Sequence, residues 1–347
     1  MIDRPIGYYV HHHGAGHRAR AQAIAAVSER RIVLLGTGLG EDGIDLADDR
    51  PASGLFDGFD GASSRPDALH YAPLDHEGVR SRVARIAGWI AEARPAMMVI
   101  DVSAEVAMLA RLASVPTICV RLSGNRDDPA HLEAFRGASG LLAPFHPACE
   151  ADATPEWVRA KTLYLPGIAQ APAEAAPLEK LVLVVFGQGG PTGDGDKLAK
   201  AARAWPGWRW RVIGPAAVPA QPPGNLEFAG WVASPEAEIA RAAVVIGAAG
   251  NGLVGAVMAA DRPFVCIPED RPFAEQQANG RGLKALGAAI VLPEWPSACF
   301  WGRILDDVLA MSGEGRRRLH DPMAAEKAAQ WLAQHAWRSL SLAAPGR

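Results

Sequence analysis

The chain has 347 residues, 49% of them apolar, and a formal net charge of −3. That length exceeds one core of ordinary size and the apolar content can fill two, so two domains are expected. With no basic surplus, nucleic acid and anionic membrane are not expected as the main partner, because both favour Lys- and Arg-rich surfaces.

Ile6 to Val10 is a short apolar strand, followed by the turn His11-His12-His13-Gly14-Ala15-Gly16-His17, a helix from about Arg18 to Glu29 and a strand from Arg31 to Leu35. Gly36 to Pro66, rich in Gly, Asp and Ser, reads as a long loop able to cover an acceptor as a lid. Helix Glu77 to Ala93, strand Met97 to Ile100 ending at Asp101, helix Ala104 to Ala113 and strand Thr117 to Leu122 continue the alternation. Strand and helix in turn mean a parallel sheet covered on both faces.

Pro166 to Pro177, PGIAQAPAEAAP, has no core-forming pattern and reads as a linker. Beyond it come strand Leu181 to Phe186, a glycine-rich loop Gly187 to Gly195, a helix to Trp205 and strand Trp210 to Ile213. Strand Val244 to Ile246 then leads through Gly247 to Gly252 into helix Leu253 to Ala260, and strand Phe264 to Ile267 leads to Glu275-Gln276. Strand Ala289 to Leu292, a helix near Ile304 to Met311 and a last helix of about Met323 to Leu340 complete the chain. The fold class is therefore α/β, with two doubly wound Rossmann-like domains facing across a cleft. The expected boundaries are 1–166 for the first domain, 167–178 for the linker and 179–320 for the second. Residues 321–347 are expected to form a helix that packs back on the first domain.

The order NLEFAGWV, VVIGAAGNG, RPFVCIP and AEQQAN resembles the nucleotide-binding domain of GT-B glycosyltransferases, of both the UDP-glycosyltransferase and the peptidoglycan N-acetylglucosaminyltransferase groups. Gly230-Trp231-Val232, Gly250, Pro263, Glu275-Gln276 and Asn279 fall at matching positions, and Gly14-Ala15-Gly16-His17 resembles the G-x-G-H turn of the first domain. The motif His, Ser/Thr and Glu that meet pyrophosphate and ribose in the family are replaced here by Ala248, Leu253 and Ala256. Loss of a charge-assisted hydrogen bond commonly costs about 1.5–3 kcal/mol, so donor affinity is expected to fall tenfold or more.

The resemblance implies that His17 is a general base for an acceptor hydroxyl, oriented by Asp101, near acceptor-side glycines Gly14 and Gly16. A helix N-terminus favours a neutral imidazole, and a carboxylate on its far nitrogen fixes the tautomer. Simple helix capping is the alternative. Donor-binding candidates are Gly187 and Gly189 in the first glycine loop, Trp231 and Val232 at the base, and Gly250, Asn251 and Gly252 with amides for a diphosphate. Glu275 and Gln276 are the implied contacts to hexose hydroxyls. Against these stand a plain turn at Gly187, a core tryptophan at Trp231 and a solvated helix start at Glu275.

No metal site is expected. Three successive histidines in extended backbone rarely converge on one ion, Asp194-Gly195-Asp196 reads as a helix cap, and Cys119, Cys149, Cys266 and Cys299 lack metal spacing. Arg316-Arg317-Arg318 reads as a solvated basic cluster, with peripheral membrane contact as the alternative. Without a signal-peptide pattern or a membrane-length apolar run, a cytoplasmic location is expected. The sequence thus predicts a metal-independent inverting glycosyltransferase with a UDP or dTDP sugar as co-substrate, no cofactor, and an acceptor it does not identify. Two alternatives stand beside it. G-x-G-H-x-x-R, completed by Arg20, also resembles a UDP-sugar hydrolase, and a donor motif altered at three positions suits a non-catalytic binding protein.

Overall fold

The computed structural model describes residues 4–12, 15–50, 65–168, 179–187, 190 and 192–342. Its first half runs β1 (Ile6–Tyr9), α1 (Ala15–Val27), β2 (Ile32–Gly36), β3 (Ile44–Asp45), α2 (Glu77–Ala93), β4 (Met97–Asp101) and α3 (Ala104–Leu112). β5 (Thr117–Val120), α4 (Pro129–Gly137), β6 (Gly140–Ala143), α5 (Glu156–Ala160) and β7 (Thr162–Tyr164) complete it. These seven strands form one sheet in the order β3-β2-β1-β4-β5-β6-β7, every neighbouring pair parallel.

The second half begins with β8 (Glu179–Val185), α6 (Gly195–Ala204), β9 (Arg209–Ile213), β10 (Leu226–Gly230), α7 (Pro235–Arg241) and β11 (Ala242–Gly247). It continues through α8 (Asn251–Ala259), β12 (Phe264–Cys266), α9 (Glu275–Ala285), β13 (Ile290–Val291), α10 (Trp301–Ala310), α11 (Glu314–Arg317) and α12 (Ala324–Leu342). Its strands also lie parallel, in the order β10-β9-β8-β11-β12-β13.

Both orders double back beside the first strand of their half, as in doubly wound dinucleotide-binding sheets. The reason lies in the strands. β1, β4, β5, β6 and β12 are buried along their whole length, which suits only a sheet covered by helices on both faces. Each sheet accordingly has two cores. In the first, Ile6, Tyr8 and Val99 pack with Ala21 and Ile24 of α1, while Tyr9, Met98 and Ile100 pack with Ile86 and Ile90 of α2. α12 brings Ala324, Ala328, Leu332 and Ala336 into the α1 side of the first sheet.

The structure corrects several local expectations. α1 starts at Ala15, not Arg18, so His17 lies within its first turn. The segment after β2 is not all loop, because β3 pairs with β2 at the sheet edge. Residues 51–64 of the expected lid lie outside the described residues, as do 169–178 of the expected linker. α4, β6, α5 and β7 were not anticipated and extend the first sheet beyond β5.

The two halves meet along α9. Gly282 lies so close to the turn at Pro147–Cys149 that a Cβ would come 2.5 Å from Cys149 Sγ and 2.8 Å from the Ala148 carbonyl oxygen. Near the start of α9, the Asn125 amide donates to the Phe273 carbonyl at 2.6 Å.

Candidate active site

β1 and β4 are neighbours whose chains leave in different directions, and the crevice at their carboxyl ends collects polar side chains. The His17 ring reaches Asp101, the last residue of β4, with Nδ1 2.9 Å from Oδ1. Asp101 is fully buried. Val102, immediately after it, has φ +54°, an outlier for a β-branched residue that marks a strained turn beside the carboxylate. Arg20, one turn along α1, donates through Nη2 to Oδ2 at 2.8 Å and Oδ1 at 3.1 Å. Burial alone would raise the Asp101 pKa, but Arg20 and then His17 outweigh it and hold the carboxyl below its usual range. Arg20 was not anticipated as part of the dyad. The His11 ring stands edge-on to His17 at a centroid distance of 5.4 Å.

The equivalent crevice of the second sheet lies after β8 and β11. A Cβ at Gly187 or Gly252 would meet nothing within 4 Å, so the backbone is open there. Gly250 is the N-cap of α8, which places Asn251 and Gly252 in its first turn, where amides lack helical partners. Trp231 is 63% exposed, which removes the core-tryptophan alternative, and Val232 packs against the second core beside it. Gly16 is also open. Gly14 and Gly189 lie outside the described residues.

Glu275 and Gln276 separate. Glu275 Oε1 accepts from Asn251 Nδ2 at 2.8 Å, and Oε2 accepts from Arg126 Nη2 at 3.2 Å. Its pKa is raised, chiefly by burial, with Arg126 and then His17 opposing. Glu275 therefore sits within electrostatic reach of the dyad and is not a solvated helix start. Gln276 is buried, and its Oε1 accepts from the amides of Ala249 at 3.0 Å and Glu269 at 2.8 Å. The oxygen thus braces the turn after β11. Asn279 extends the brace, accepting from Ser123 Oγ at 2.7 Å and donating to the Ala249 carbonyl at 2.9 Å.

Arg126 is the other unanticipated side chain. It comes from the first sheet, stacks over the Phe273 ring at 4.5 Å and reaches His131 Nε2 at 3.2 Å as well as Glu275. Phe273 and Ala274 have φ of +61° and +50°, so the turn that presents the ring is strained. The His70 ring stacks on Phe273, with an interplanar angle of 18°.

Two groups place potential metal-ligating atoms within 4.8 Å of one another: His70, Asp128 and His131, and His12, Asp48 and Asp49. In the first, His70 Nε2 and His131 Nδ1 each approach Asp128 at 2.6 Å, while Arg126 donates to His131 Nε2. That leaves the imidazole proton on Nδ1, where a cation would need a lone pair. In the second, Arg50 and Arg82 pair with Asp48 and Asp49. Hydrogen bonds and ion pairs thus account for both groups. Asp194 caps α6 by accepting from the amides of Asp196 and Lys197. The basic cluster is not wholly solvated, since Arg316 is buried and pairs with Asp261, as does Arg317. Among the described residues, no helix is long and apolar enough to cross a membrane.

Two Rossmann-like halves, with the open glycines Gly16, Gly187 and Gly252 following strands of the two sheets, give the chain the fold of the GT-B glycosyltransferases. Similar solved structures include the glycotransferase of kitacinnamycin, at 15% identity and a TM-score of 0.68 over 96% of this chain and 100% of that one. MurG of Acinetobacter baumannii aligns at 14% identity and 0.63 over 95% and 99%. The spinosyn rhamnosyltransferase SpnG complexed with thymidine diphosphate aligns at 16% and 0.60 over 97% and 99%. No family model matches the sequence, and no curated protein matches it.

Proposed function

We propose that the chain is a metal-independent inverting glycosyltransferase that moves a sugar from a UDP or dTDP sugar to an acceptor hydroxyl. The observation that carries this reading is the His17–Asp101 pair at 2.9 Å, set at one sheet edge and in electrostatic reach of Glu275 from the other half. Nδ1 of His17 donates to Asp101, leaving Nε2 to take the acceptor proton. The acceptor oxygen then attacks the anomeric carbon, the bond to the diphosphate breaks on the opposite face, and the configuration inverts. Amides at Gly250, Asn251 and Gly252 meet the charge gathering on the departing diphosphate, which gives the step a stabilising group without a metal.

The half-buried Ala248, buried Ala256 and Leu253 offer no polar side chain to pyrophosphate or ribose. Binding then rests on backbone amides, the exposed Trp231 face and Glu275, and donor affinity should be modest. Support for a nucleotide diphosphate comes from the thymidine diphosphate bound by SpnG, a similar fold. The hydrolase alternative keeps the same residues, with water in place of the acceptor.

The test is thermal stabilisation by UDP, dTDP, GDP and their sugars, for the parent, His17→Ala and Glu275→Ala. Ligand at 100 times its dissociation constant adds about 2.7 kcal/mol, a visible shift. A shift with one diphosphate, enlarged by its sugar and reduced in Glu275→Ala, supports the donor site. Sugar release that no added alcohol changes would move the reading to a hydrolase. No shift with any nucleotide would refute both and leave the binding-protein alternative.

A further inference from the structure

We propose that Arg20 is a positioning residue that holds Asp101 against His17 and offsets its charge, so that the imidazole stays a neutral base, an inference that rests on His17 acting as the base. His17 and Arg20 are three residues apart on α1 and so share a face of the helix. Arg20 Nη2 lies 2.8 Å and 3.1 Å from the two Asp101 oxygens and 3.0 Å from His17 Nδ1. A guanidinium only donates, so the acceptor that holds the Nδ1 proton is Asp101, which Arg20 keeps in place. If Nδ1 carried the lone pair, it would face the Asp101 oxygen lone pairs at 2.9 Å. With the proton on Nδ1, both Nδ1 and Nη2 donate to Oδ1, and their 3.0 Å separation follows from the shared acceptor. Nε2 is then the nitrogen left with a lone pair.

The second effect is electrostatic. Asp101 and Arg20 are both buried, so the imidazole meets a nearly neutral pair instead of a bare carboxylate. An opposite charge within about 4–6 Å moves a titration by about 1–3 pH units, so an uncompensated Asp101 would hold the ring as imidazolium, unable to accept a proton. The other groups facing it are His11, Tyr8 beneath Arg20, and Glu275 on α9. Among the described residues, only Arg20 bonds to both Asp101 oxygens.

The experiment compares Arg20→Met, Arg20→Gln and Arg20→Lys with the parent. In kcat/KM against pH, measured with the donor found in the nucleotide panel, the two neutral variants should show an acidic limb raised by about one unit or more. That corresponds to at least about a tenfold loss on the limb, with partial recovery at alkaline pH. Arg20→Lys keeps the charge and should follow the parent profile. The same shift should appear in the NMR titration of the His17 imidazole, whose nitrogen shifts also report whether Nδ1 carries the proton. This readout needs no turnover, so it decides the inference even if the parent transfers no sugar. If Arg20→Met does not fold, Arg20→Gln, which retains a donor, provides the comparison. Neutral variants that melt earlier but leave both the limb and the His17 titration unchanged would show a structural brace and overturn the proposal.

Discussion

Gly124→Ala tests how the two halves are joined. Gly124 has φ +92°, and a Cβ there would fall 2.4 Å from the Phe273 carbonyl oxygen, 2.9 Å from Glu275 Cα and 3.1 Å from Glu275 N. All three are backbone atoms, so no rotamer change relieves the overlap. Holding an L-residue in such a conformation costs about 1–3 kcal/mol. Moving the backbones apart also breaks the Asn125–Phe273 hydrogen bond, which is worth about 1 kcal/mol. The sum is about 2–4 kcal/mol, equivalent to a melting temperature lowered by about 3–5 °C for a chain of this length. Calorimetry beside Gly137→Ala gives the control, because a Cβ at Gly137 meets its nearest atom at 3.9 Å. That control should stay near the parent. Donor affinity should fall with stability in Gly124→Ala, since the Glu275 backbone is what moves. A variant that melts with the control would refute the close approach of the two halves.

Asp101→Asn leaves the buried Arg20 guanidinium without its counter-charge, and urea unfolding should show a loss of about 3–5 kcal/mol. For pH, burial first, and then His70 and Arg126, push the His131 pKa down to about 4 from 6.5, against Asp128. The unfolded chain therefore takes up this proton at a higher pH than the folded one, and stability falls as the pH drops from 6.5 to 4. The linked loss is up to about 3 kcal/mol, and urea melts at pH 7 and 4.5 should show it in the parent and much less of it in His131→Asn.

The sequence carries the strand-turn-helix units around His17 and Gly250 clearly, because an apolar run too short for a helix ends in glycines before a helical period begins. β3 was hidden because two residues show no period, and α4 to β7 because each element is short. A usable signal did exist there: Asp128-Pro129 is a cap followed by a first-turn proline, and the Asp128 side chain accepts from the His131 amide. The His17–Asp101 contact was legible through a family pattern. Arg20 was visible only as a motif letter, since its meaning depends on a carboxylate brought from another strand. Arg126 had no signal at all, because its partners Phe273 and Glu275 belong to the other half of the chain. Gln276 differs for a local reason. Successive residues on a helix point about 100° apart, so Glu275 and Gln276 cannot share one direction.

The charge of Glu275 is balanced by Arg126, a residue from the other half of the chain. With the halves apart, Glu275 would keep Asn251 but lose Arg126, and the site proposed for the donor would present an uncompensated negative charge. An anionic donor would then be repelled by such an open form and accepted by the docked one. On the proposed reading, the junction acts as a check on assembly order: the half-site becomes hospitable to an activated sugar only once the His17 face is in place. That limits the time in which such a sugar is held beside bulk water with no acceptor opposite it.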